Sequence, residues 1–407
     1  MNQTKTPDAP LAAPTASSDG QADRVPSRRR TRRTRALLLG GLALVLLAAL
    51  LRFVLVPMLL KLPTNIDVTA HYAGAQELFV NPKNGQPLAQ PLKLPLQINR
   101  HVKADPSLST GSRVAIDETI VATVKGGGTL HESNRYVMDR KSTLNVTDPK
   151  AYAFTPSNVV DRAGAYRLSL PFGLAQGTRL KIYSNDTNSV YEAYPDRAQP
   201  TGSVDGLGVL NYTANQQPHA LSPVYLAGLE ASAGLPKSTT LKALEPGLKA
   251  AGIDLGAIVG ALPAADQARI AAQQGQPIPL LYDGWVNVRF TVEPTTGSIV
   301  SVPSEVDTVS VRPDPTALAP LAAILAQNSA KPVVASALPK LPAVAAQSQP
   351  VFALAFSQTA SSVKQMRDKV DSARLQVMAL KLYIPIALLV LGLLGLALGL
   401  RARKRAR

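Results

Sequence analysis

Two long apolar stretches bracket a chain whose middle part alternates between apolar and polar positions. The first stretch covers residues 36–60 and the second covers residues 382–400. Because a helix needs about 20 apolar residues to cross the hydrocarbon core of a membrane, both stretches predict transmembrane helices. Arg52 stands near the outer end of the first stretch, where its long side chain can reach the head groups. Tyr383 stands at the edge of the second, where aromatic rings are common.

The distribution of basic residues predicts the orientation of both spans. Dense arginine clusters precede residue 36 and follow residue 400. Cationic flanks stay on the cytoplasmic side, so we predict two cytoplasmic termini and an extracytoplasmic middle. Arg52, Lys61, Lys381, Tyr383 and Arg401 are the predicted membrane anchors. A cleaved signal peptide is the alternative for the first stretch, but its apolar core usually has about 7–15 residues and ends at a small-residue cleavage site.

Residues 64–350 carry the alternation that is typical of half-buried strands. It is clearest over residues 285–293, where Val286, Val288, Phe290 and Val292 share one parity. The other predicted strands cover residues 66–72, 77–80, 94–102, 114–124, 129–137, 166–170, 178–183, 189–194, 207–212, 224–229, 299–302 and 306–311. The fold class is therefore mainly β (α+β), with antiparallel sheets and inserted helices. Two Pro-x-x-Gly turns, over residues 81–85 and 293–297, hint at two related β lobes.

Helical spacing interrupts the β pattern in three places. Residues 239–274 predict a helical insertion, and residues 318–327 predict one helix with linker-like sequence after it. Residues 351–381 predict a helical stalk, since a heptad seam includes Val363, Met366, Val370, Ala373, Val377 and Leu380. We expect the stalk to pack on the β domain, and a coiled-coil dimer is the alternative. Residues 1–35 and 401–407 predict basic cytoplasmic tails, the first of them disordered.

Gly395 and Gly399 form a Gly-x-x-x-Gly pair in the second span. Small residues let helices approach closely in lipid, so we predict that these glycines pack against another helix. The first span of the same chain is the simplest partner. A homo-oligomer through the second span is the alternative.

The amino-acid composition limits the partners and the reactions that we expect for this protein. Most of the formal net charge of +16 lies in the tails and the flanks of the spans. We therefore expect no nucleic-acid partner, although the basic flanks can contact membrane lipid. The chain has no cysteine, its four histidines lack the spacing of a metal site, and it has no nucleophile elbow. We expect no metal, no cofactor, no catalytic residue and no enzymatic activity.

Several short motifs resemble one family. They are Leu51-Arg-Phe-Val-Leu-Val-Pro57, Lys61-Leu-Pro63, the turn over residues 81–85, Leu170-Pro-Phe-Gly173 and the segment 285–297. Together with the terminal span they resemble the porin PorA family of actinobacterial envelope proteins, over roughly residues 37–400. The family name implies a pore. However, a pore-forming β-barrel needs many lipid-facing strands and aromatic girdles, and aromatic residues make up only 5% of this chain.

The resemblance also implies a role in the assembly or export of envelope lipids and lipoglycans. In layout the chain is similar to class B scavenger receptors, whose twice-anchored β-rich domain carries lipid. We therefore predict a protein of the bacterial plasma membrane that binds or hands on envelope lipid or glycolipid, with an apolar cavity in its β domain. A structural or signalling scaffold is the alternative function.

Overall fold

A computed structural model describes residues 28–81 and 87–405. The chain divides into two compact units, Met1–Pro57 with Leu380–Arg407 and Met58–Ala379, which we call the anchor unit and the β unit. Three parts of the predictions lie outside the described residues: the disordered tail over residues 1–27, most of the turn over residues 81–85, and the end of the C-terminal tail.

The strands, in chain order, are β1 (Asp67–Val80), β2 (Pro87–Asp105), β3 (Arg113–Val124), β4 (Thr129–Asp139), β5 (Leu180–Ser184), β6 (Ser189–Pro195), β7 (Thr201–Val204), β8 (Leu207–Asn215), β9 (His219–Ala220), β10 (Ser238–Thr240), β11 (Pro277–Glu293), β12 (Ser298–Pro313) and β13 (Gln349–Gln358). The α-helices are α1 (Arg28–Leu50), α2 (Val56–Leu59), α3 (Pro223–Ala233), α4 (Leu241–Ala250), α5 (Leu255–Ala261), α6 (Ala264–Gln274), α7 (Ala319–Gln327), α8 (Pro332–Ala337), α9 (Leu341–Ala346), α10 (Ala360–Met378) and α11 (Ile384–Lys404). π-Helical turns cover Leu51–Leu55 and Ala379–Tyr383, and 3-10 turns cover Pro315–Leu318 and Leu338–Lys340.

The anchor unit contains a pair of closely packed helices. By length and composition, Arg35–Leu55 and Ala360–Lys404 could each cross a membrane. A Cβ atom on Gly41 would lie 2.7 Å from the carbonyl oxygen of Gly392, so the backbones of α1 and α11 are in direct contact. Residues 28–35, which the sequence predicts to be disordered, continue α1 in the N-terminal direction. Arginine is a good helix former, so a helix that the apolar segment establishes can extend into it.

One antiparallel sheet forms the centre of the β unit, in the strand order β4-β3-β2-β1-β13-β12-β11-β8-β6-β5. Strands β9 and β10 pair with β11, and β7 pairs with β8. The predicted antiparallel β character is confirmed. The hairpins β1–β2 and β11–β12, from which we expected two lobes, belong to this one sheet with β13 between them.

The sheet is strongly curved. Ala122 of β3 and Leu180 of β5 lie near opposite edges, yet they belong to one hydrophobic core with Val286, Val288 and Phe290 of β11. The predicted inward parity of β11 is confirmed, since these three side chains and Val292 are all buried. The curvature therefore gives the sheet an enclosed concave face.

The shorter helices form a second core. Helices α4, α5 and α6 follow β10, and α7, α8 and α9 follow β12. Their side chains pack together around residues such as Ile258, Ile270, Ile324, Val334 and Leu341. The prediction of linker-like sequence after residue 327 was therefore wrong. The Ala and Val side chains of that stretch are buried only because two segments distant in sequence come together.

The predicted stalk is divided into a strand and a helix. Residues 349–358 form β13 at the centre of the sheet, between β1 and β12. Helix α10 begins at Ala360, and Thr359 caps it by accepting a bond from Ser362 N. Its Val370 packs with Leu207, Val209 and Val300. The expected packing of this helix on the β domain is thus confirmed, but the helical prediction for residues 351–358 was wrong.

Two predicted strands are also absent from the described sheet. Residues 224–229 lie in α3. The side chain of Ser222 caps this helix by accepting a hydrogen bond from Tyr225 N, and Pro223 occupies its first position. The helix ends at Gly234, which has a left-handed conformation. These capping signals outweigh the β-branched and aromatic content of the segment. Tyr166 makes only a single bridge to Ile182, so residues 166–170 do not form a strand.

Candidate functional site

Charged side chains occupy inward positions on the concave face of the sheet. Most of their neighbours of the same parity are apolar or aromatic, as with Glu118 between Ile116 and Ile120. Register places these residues on adjoining strands, because Ile120 faces both Arg100 of β2 and Glu132 of β4. The inward charged residues of the strands are Arg100, Glu118, Glu132, Glu305 and Asp307.

Glu118 is the centre of a fully bonded network. Its side chain is buried, and its Oε1 accepts from Nε and Nη2 of Arg100 at 2.6 and 2.5 Å. Its Oε2 accepts from Asn134 Nδ2 at 3.0 Å and from the Tyr136 hydroxyl at 2.7 Å. Burial alone would raise the pKa of Glu118, but the positive charges of Arg100 and Arg167 outweigh it and lower the pKa to about 2. Glu118 is therefore ionised at neutral pH.

Arg162 closes the gap between the two edge strands, β4 and β5. Its side chain is buried and donates to Arg135 O at 3.1 Å, to Tyr152 O at 2.9 Å and to Asn185 Oδ1 at 2.9 Å. Asn185 directly follows β5 and donates to the Tyr136 hydroxyl at 2.8 Å. The guanidinium also lies over the Tyr136 ring, 4.4 Å from its centroid. The segment between β4 and β5 also bonds to each edge through its backbone, Tyr152 to Arg135 and Tyr166 to Lys181 and Tyr183, so Arg162 adds side-chain bonds to a backbone connection.

Four other carboxylates face the interior without such bonds. They are Glu132, Asp186, Glu305 and Asp307, and none has a side-chain hydrogen bond or ion pair within residues 28–81 and 87–405. Protein surrounds them, yet each keeps some accessible surface. Burial raises their pKa values, and repulsion between neighbouring carboxylates raises them further, for Asp186 to about 6. They therefore line an internal space rather than a packed core.

Arg167 is the one cation among these carboxylates that no hydrogen bond engages in the part of the chain that the structure describes. Its Nε is buried and has no acceptor. Burial alone would lower the pKa of Arg167, but Tyr136, Tyr191 and the acidic residues Glu118 and Glu305 raise it. Its charge offsets part of the negative charge of the cluster. Its bonding capacity is left for water or a ligand.

A small pocket, with a volume of about 20 Å³, lies beside the carboxylates. Asp186 and Asp307 contribute to its wall together with Gln216, and Gly284 forms part of its floor. A Cβ atom on Gly284 would lie 2.5 Å from Leu221 Cδ2, so a larger residue there would require the Leu221 side chain to shift. The remaining lining residues are Ser184, Thr187, Leu221, Tyr225, Trp285, Val286, Thr308, Val309, Phe352 and Leu354. The wall is half polar, whereas the sequence led us to expect an apolar cavity.

The chemistry of this wall favours a neutral ligand rich in hydroxyl groups. Carboxyl oxygens accept hydrogen bonds and a protonated carboxyl also donates one, so hydroxyl groups can satisfy Asp186 and Asp307 in either state. Among the described residues no group of three or more His, Asp or Glu side chains could hold a metal ion. Tyr225, whose ring stacks on Phe154 with centroids 5.1 Å apart, adds a fixed aromatic surface.

The raised pKa values make the stability of the β unit dependent on pH. A carboxyl group whose pKa is raised on folding stabilises the native state at low pH, and this contribution is lost as the pH rises through the native pKa. We expect the free energy of unfolding to fall between pH 4 and pH 7, with Asp186 contributing on the order of 1–3 kcal/mol. Glu118 acts in the opposite sense, and only below about pH 4, since its pKa is lowered.

Urea unfolding at several pH values, followed by the fluorescence of the single tryptophan, Trp285, measures this slope. The variant Asp186→Asn should flatten it. An equal slope in the variant and the parent would contradict the assignment to Asp186.

The predicted anchor and helix-packing residues lie elsewhere. Arg52 donates from Nη1 to the carbonyl oxygen of Lys381, whereas Lys61 belongs to the β unit and donates to Gly111 O at 3.2 Å. Tyr383 and Arg401 are exposed on the second span. In α11, a Cβ on Gly395 would lie 3.3 Å from Gly41 Cα, and one on Gly399 would lie 2.8 Å from Leu38 Cδ2.

Sequence reasoning missed the interior cluster, although a signal for it exists. In the predicted strand over residues 114–124 the apolar residues Val114, Ile116, Ile120, Ala122 and Val124 share one parity, and Glu118 falls on the same parity. When one strand has a single charged residue among apolar residues of the same parity, the usual explanation is that the strand ends there or that its register was assigned wrongly. The same irregularity in β2, β4 and β12 would have indicated a polar interior.

Comparisons with known proteins agree with the resemblance. The family model described as Porin PorA matches residues 35–401, which is nearly the whole chain. No curated protein matches the chain.

Proposed function

The chain belongs to the Porin PorA family and is thus a membrane or envelope protein, and from this premise we propose that its β unit binds the sugar-bearing head of an envelope glycolipid. The proposed role is to hold or hand on this lipid during envelope assembly. It needs binding and release but no covalent chemistry, so we propose a non-enzymatic protein.

The observation that carries the proposal is the pair of carboxyl groups, Asp186 and Asp307, that line the pocket without a side-chain hydrogen bond or ion pair among the described residues. An unpaired charge inside a protein is costly, so such groups are kept where water or a ligand completes their bonding. The pocket has a volume of about 20 Å³, enough for about one water molecule, so it must widen to admit a sugar ring. Its polar lining suits a sugar head group better than a long acyl chain.

The convex face of the sheet supports a binding protein over a pore. Asn287 and Arg289 of β11 have the parity opposite to the buried Val286 and Val288. A barrel that crosses a membrane presents apolar side chains outward, and a charged residue there costs about 2–4 kcal/mol at the midplane. The outer side chains of β11 are polar, as expected for a strand whose outer face contacts water.

Native mass spectrometry of the full chain tests the proposal. The protein is purified from its own membranes in a detergent without a sugar head, because a sugar detergent would compete for the pocket. We expect a co-purifying glycolipid mass. The double variant Asp186→Asn/Asp307→Asn keeps the shape of the wall and should lower its retention roughly tenfold, since bonds to charged groups contribute about 1.5–3 kcal/mol each.

The control is Asp205→Asn, an exposed acidic residue outside the site, which should retain the glycolipid as the parent does. Equal retention by the double variant would place the lipid elsewhere. Absence of any glycolipid, together with co-purifying envelope proteins, would favour the scaffold.

A further inference from the structure

An open groove lies on the convex face of the sheet, opposite the interior charges. It has a volume of about 180 Å³, room for roughly a dozen water molecules. Strands β8, β11 and β12 form it, through Thr213, Ala214, Asn215, Asn287, Val288, Arg289, Ser304 and Val306. The groove is therefore much larger than the interior pocket of about 20 Å³, and it is open to a ligand as it stands.

Strand register brings the polar side chains of the groove together. Asn287 of β11 pairs with Asn215 of β8. Two residues along β11, Arg289 pairs with Thr213 of β8 on one side and with Ser304 of β12 on the other. Adjacent strands lie about 4.8 Å apart, so these side chains can contact one extended ligand that crosses the three strands.

The same side chains have no protein partner. Among the residues that the structure describes, the side chains of Thr213, Asn215, Asn287, Arg289 and Ser304 make no hydrogen bond or salt bridge. The two amides are opposite each other in register and still do not bond to each other. Each amide keeps one acceptor and two donors, and the guanidinium keeps five donors. Water occupies such groups in a free protein, and the hydroxyl groups of a ligand can replace it.

The outer face of β8 is apolar where the protein covers it and polar where the groove leaves it open. Its outer residues Leu207 and Val209 pack with Val370 of α10, whereas Asn215, farther along the strand, lines the groove. Among the groove residues at outer positions, Val306 is the one apolar side chain. The buried core of a protein interface is more apolar than this, at about 65% of its area. A polar ligand therefore fits the groove better than a protein partner.

An aromatic ring extends this surface onto β6. Tyr194 pairs in register with Thr213, and its side chain is 41% exposed. Its hydroxyl donates to Glu192, and the Arg179 guanidinium lies over the ring, 5.3 Å from its centroid. These contacts hold the ring in place beside the groove. Charges of both signs lie around it, so an ionic ligand of either sign meets a like charge.

We propose that the groove binds a neutral polysaccharide of the cell envelope, which lies across β6, β8, β11 and β12. Asn215 and Asn287 donate to and accept from its hydroxyl groups, Arg289 donates to its oxygens, and Tyr194 packs against a sugar ring. The four strands span about 14 Å, so the ligand is a chain of sugar units rather than a single sugar. This site lies on the opposite face of the sheet from the glycolipid pocket and does not depend on it.

Biolayer interferometry of the full chain tests the site, in a detergent without a sugar head. The immobilised probes are dextran, mannan and galactan, with heparin as an anionic polysaccharide. We expect the parent to bind at least one neutral probe. Asn287→Ala/Arg289→Ala should weaken this binding about tenfold or more, because it removes an amide and a charged donor. Asn215→Ala, on the neighbouring strand, should weaken it about threefold and keeps the test valid if the double variant fails to fold.

The matched control is Thr119→Ala/Lys125→Ala, which removes one polar and one cationic exposed side chain on β3 and in the turn after it. It should bind as the parent does. Binding to no neutral probe, unchanged binding in the groove variants or an equal loss in the control would overturn the site.

Two other outcomes would contradict the choice of ligand. Binding to heparin alone, lost at high salt, would show general charge attraction. An envelope protein that co-purifies with the parent and is lost from the groove variants would show a protein interface. Asp186→Asn/Asp307→Asn should bind the neutral probe as the parent does, because these residues line the interior pocket. Failure of one site is thereby distinguished from failure of the other.

Discussion

Replacing Glu118 by alanine is expected to destabilise the β unit by about 3–5 kcal/mol. The substitution leaves Arg100 without its carboxylate partner and removes the acceptor of Asn134 and Tyr136. A charge left alone in a buried site costs far more than the ion pair itself contributes, so the expected effect exceeds that of a surface substitution severalfold.

The measurement is urea unfolding of the full chain in detergent, followed by Trp285 fluorescence. Glu118→Gln keeps the shape and one acceptor, so its loss of stability should be smaller. Glu192→Ala, at an exposed position of β6, is the matched control and should change the free energy of unfolding by less than about 0.5 kcal/mol. A loss below about 1 kcal/mol in Glu118→Ala would mean that the network does not hold the sheet.

Replacing Gly41 by leucine is expected to separate the two helices of the anchor unit. A Cβ at this position would lie 2.7 Å from Gly392 O and 2.8 Å from Leu396 N, and backbone atoms cannot yield to a side chain. Overpacking costs about 1–3 kcal/mol in a soluble core. Here it also removes the close backbone contact through which helices associate in lipid.

The neighbouring residue provides the control. Gly40→Leu adds the same side chain where nothing lies within 4 Å of the Cβ position, so it should leave the helix pair intact. Because the chain has no cysteine, an introduced pair, Leu38→Cys with Gly399→Cys, reports helix contact through its oxidation. Its cross-linking yield should fall at least about fivefold with Gly41→Leu. Equal yields in the two leucine variants would show that the contact at Gly41 does not determine pairing.

The two candidate membrane spans and most of the sheet follow from local pattern. A continuous apolar stretch is a property of the sequence alone, and strict alternation such as that over residues 285–293 requires one buried and one open face. One failure also has a local cause. Residues 224–229 have strand-like composition, but Ser222, Pro223 and Gly234 supply the caps of a helix.

The candidate site was harder to predict, because its parts are far apart in the chain. Glu132, Asp186 and Asp307 lie on β4, after β5 and on β12, and only the curvature of the sheet brings them to one interior. Alternation showed which positions of β3 face inward, and it placed Glu118 among them without indicating its partner. Arg162, in a segment without regular structure, carried no sequence signal for its role between the edge strands.

The sequence by itself determined that this protein has two apolar segments, basic flanks and an antiparallel β region between them, because these properties depend on residues within one turn or one strand of each other. Only the tertiary structure decided that β13 completes the sheet, that two distant helical segments share a core, and that the interior is charged. Those features depend on which strands become neighbours, and pairing across hundreds of residues is set by the packing of the whole chain and not by any local pattern.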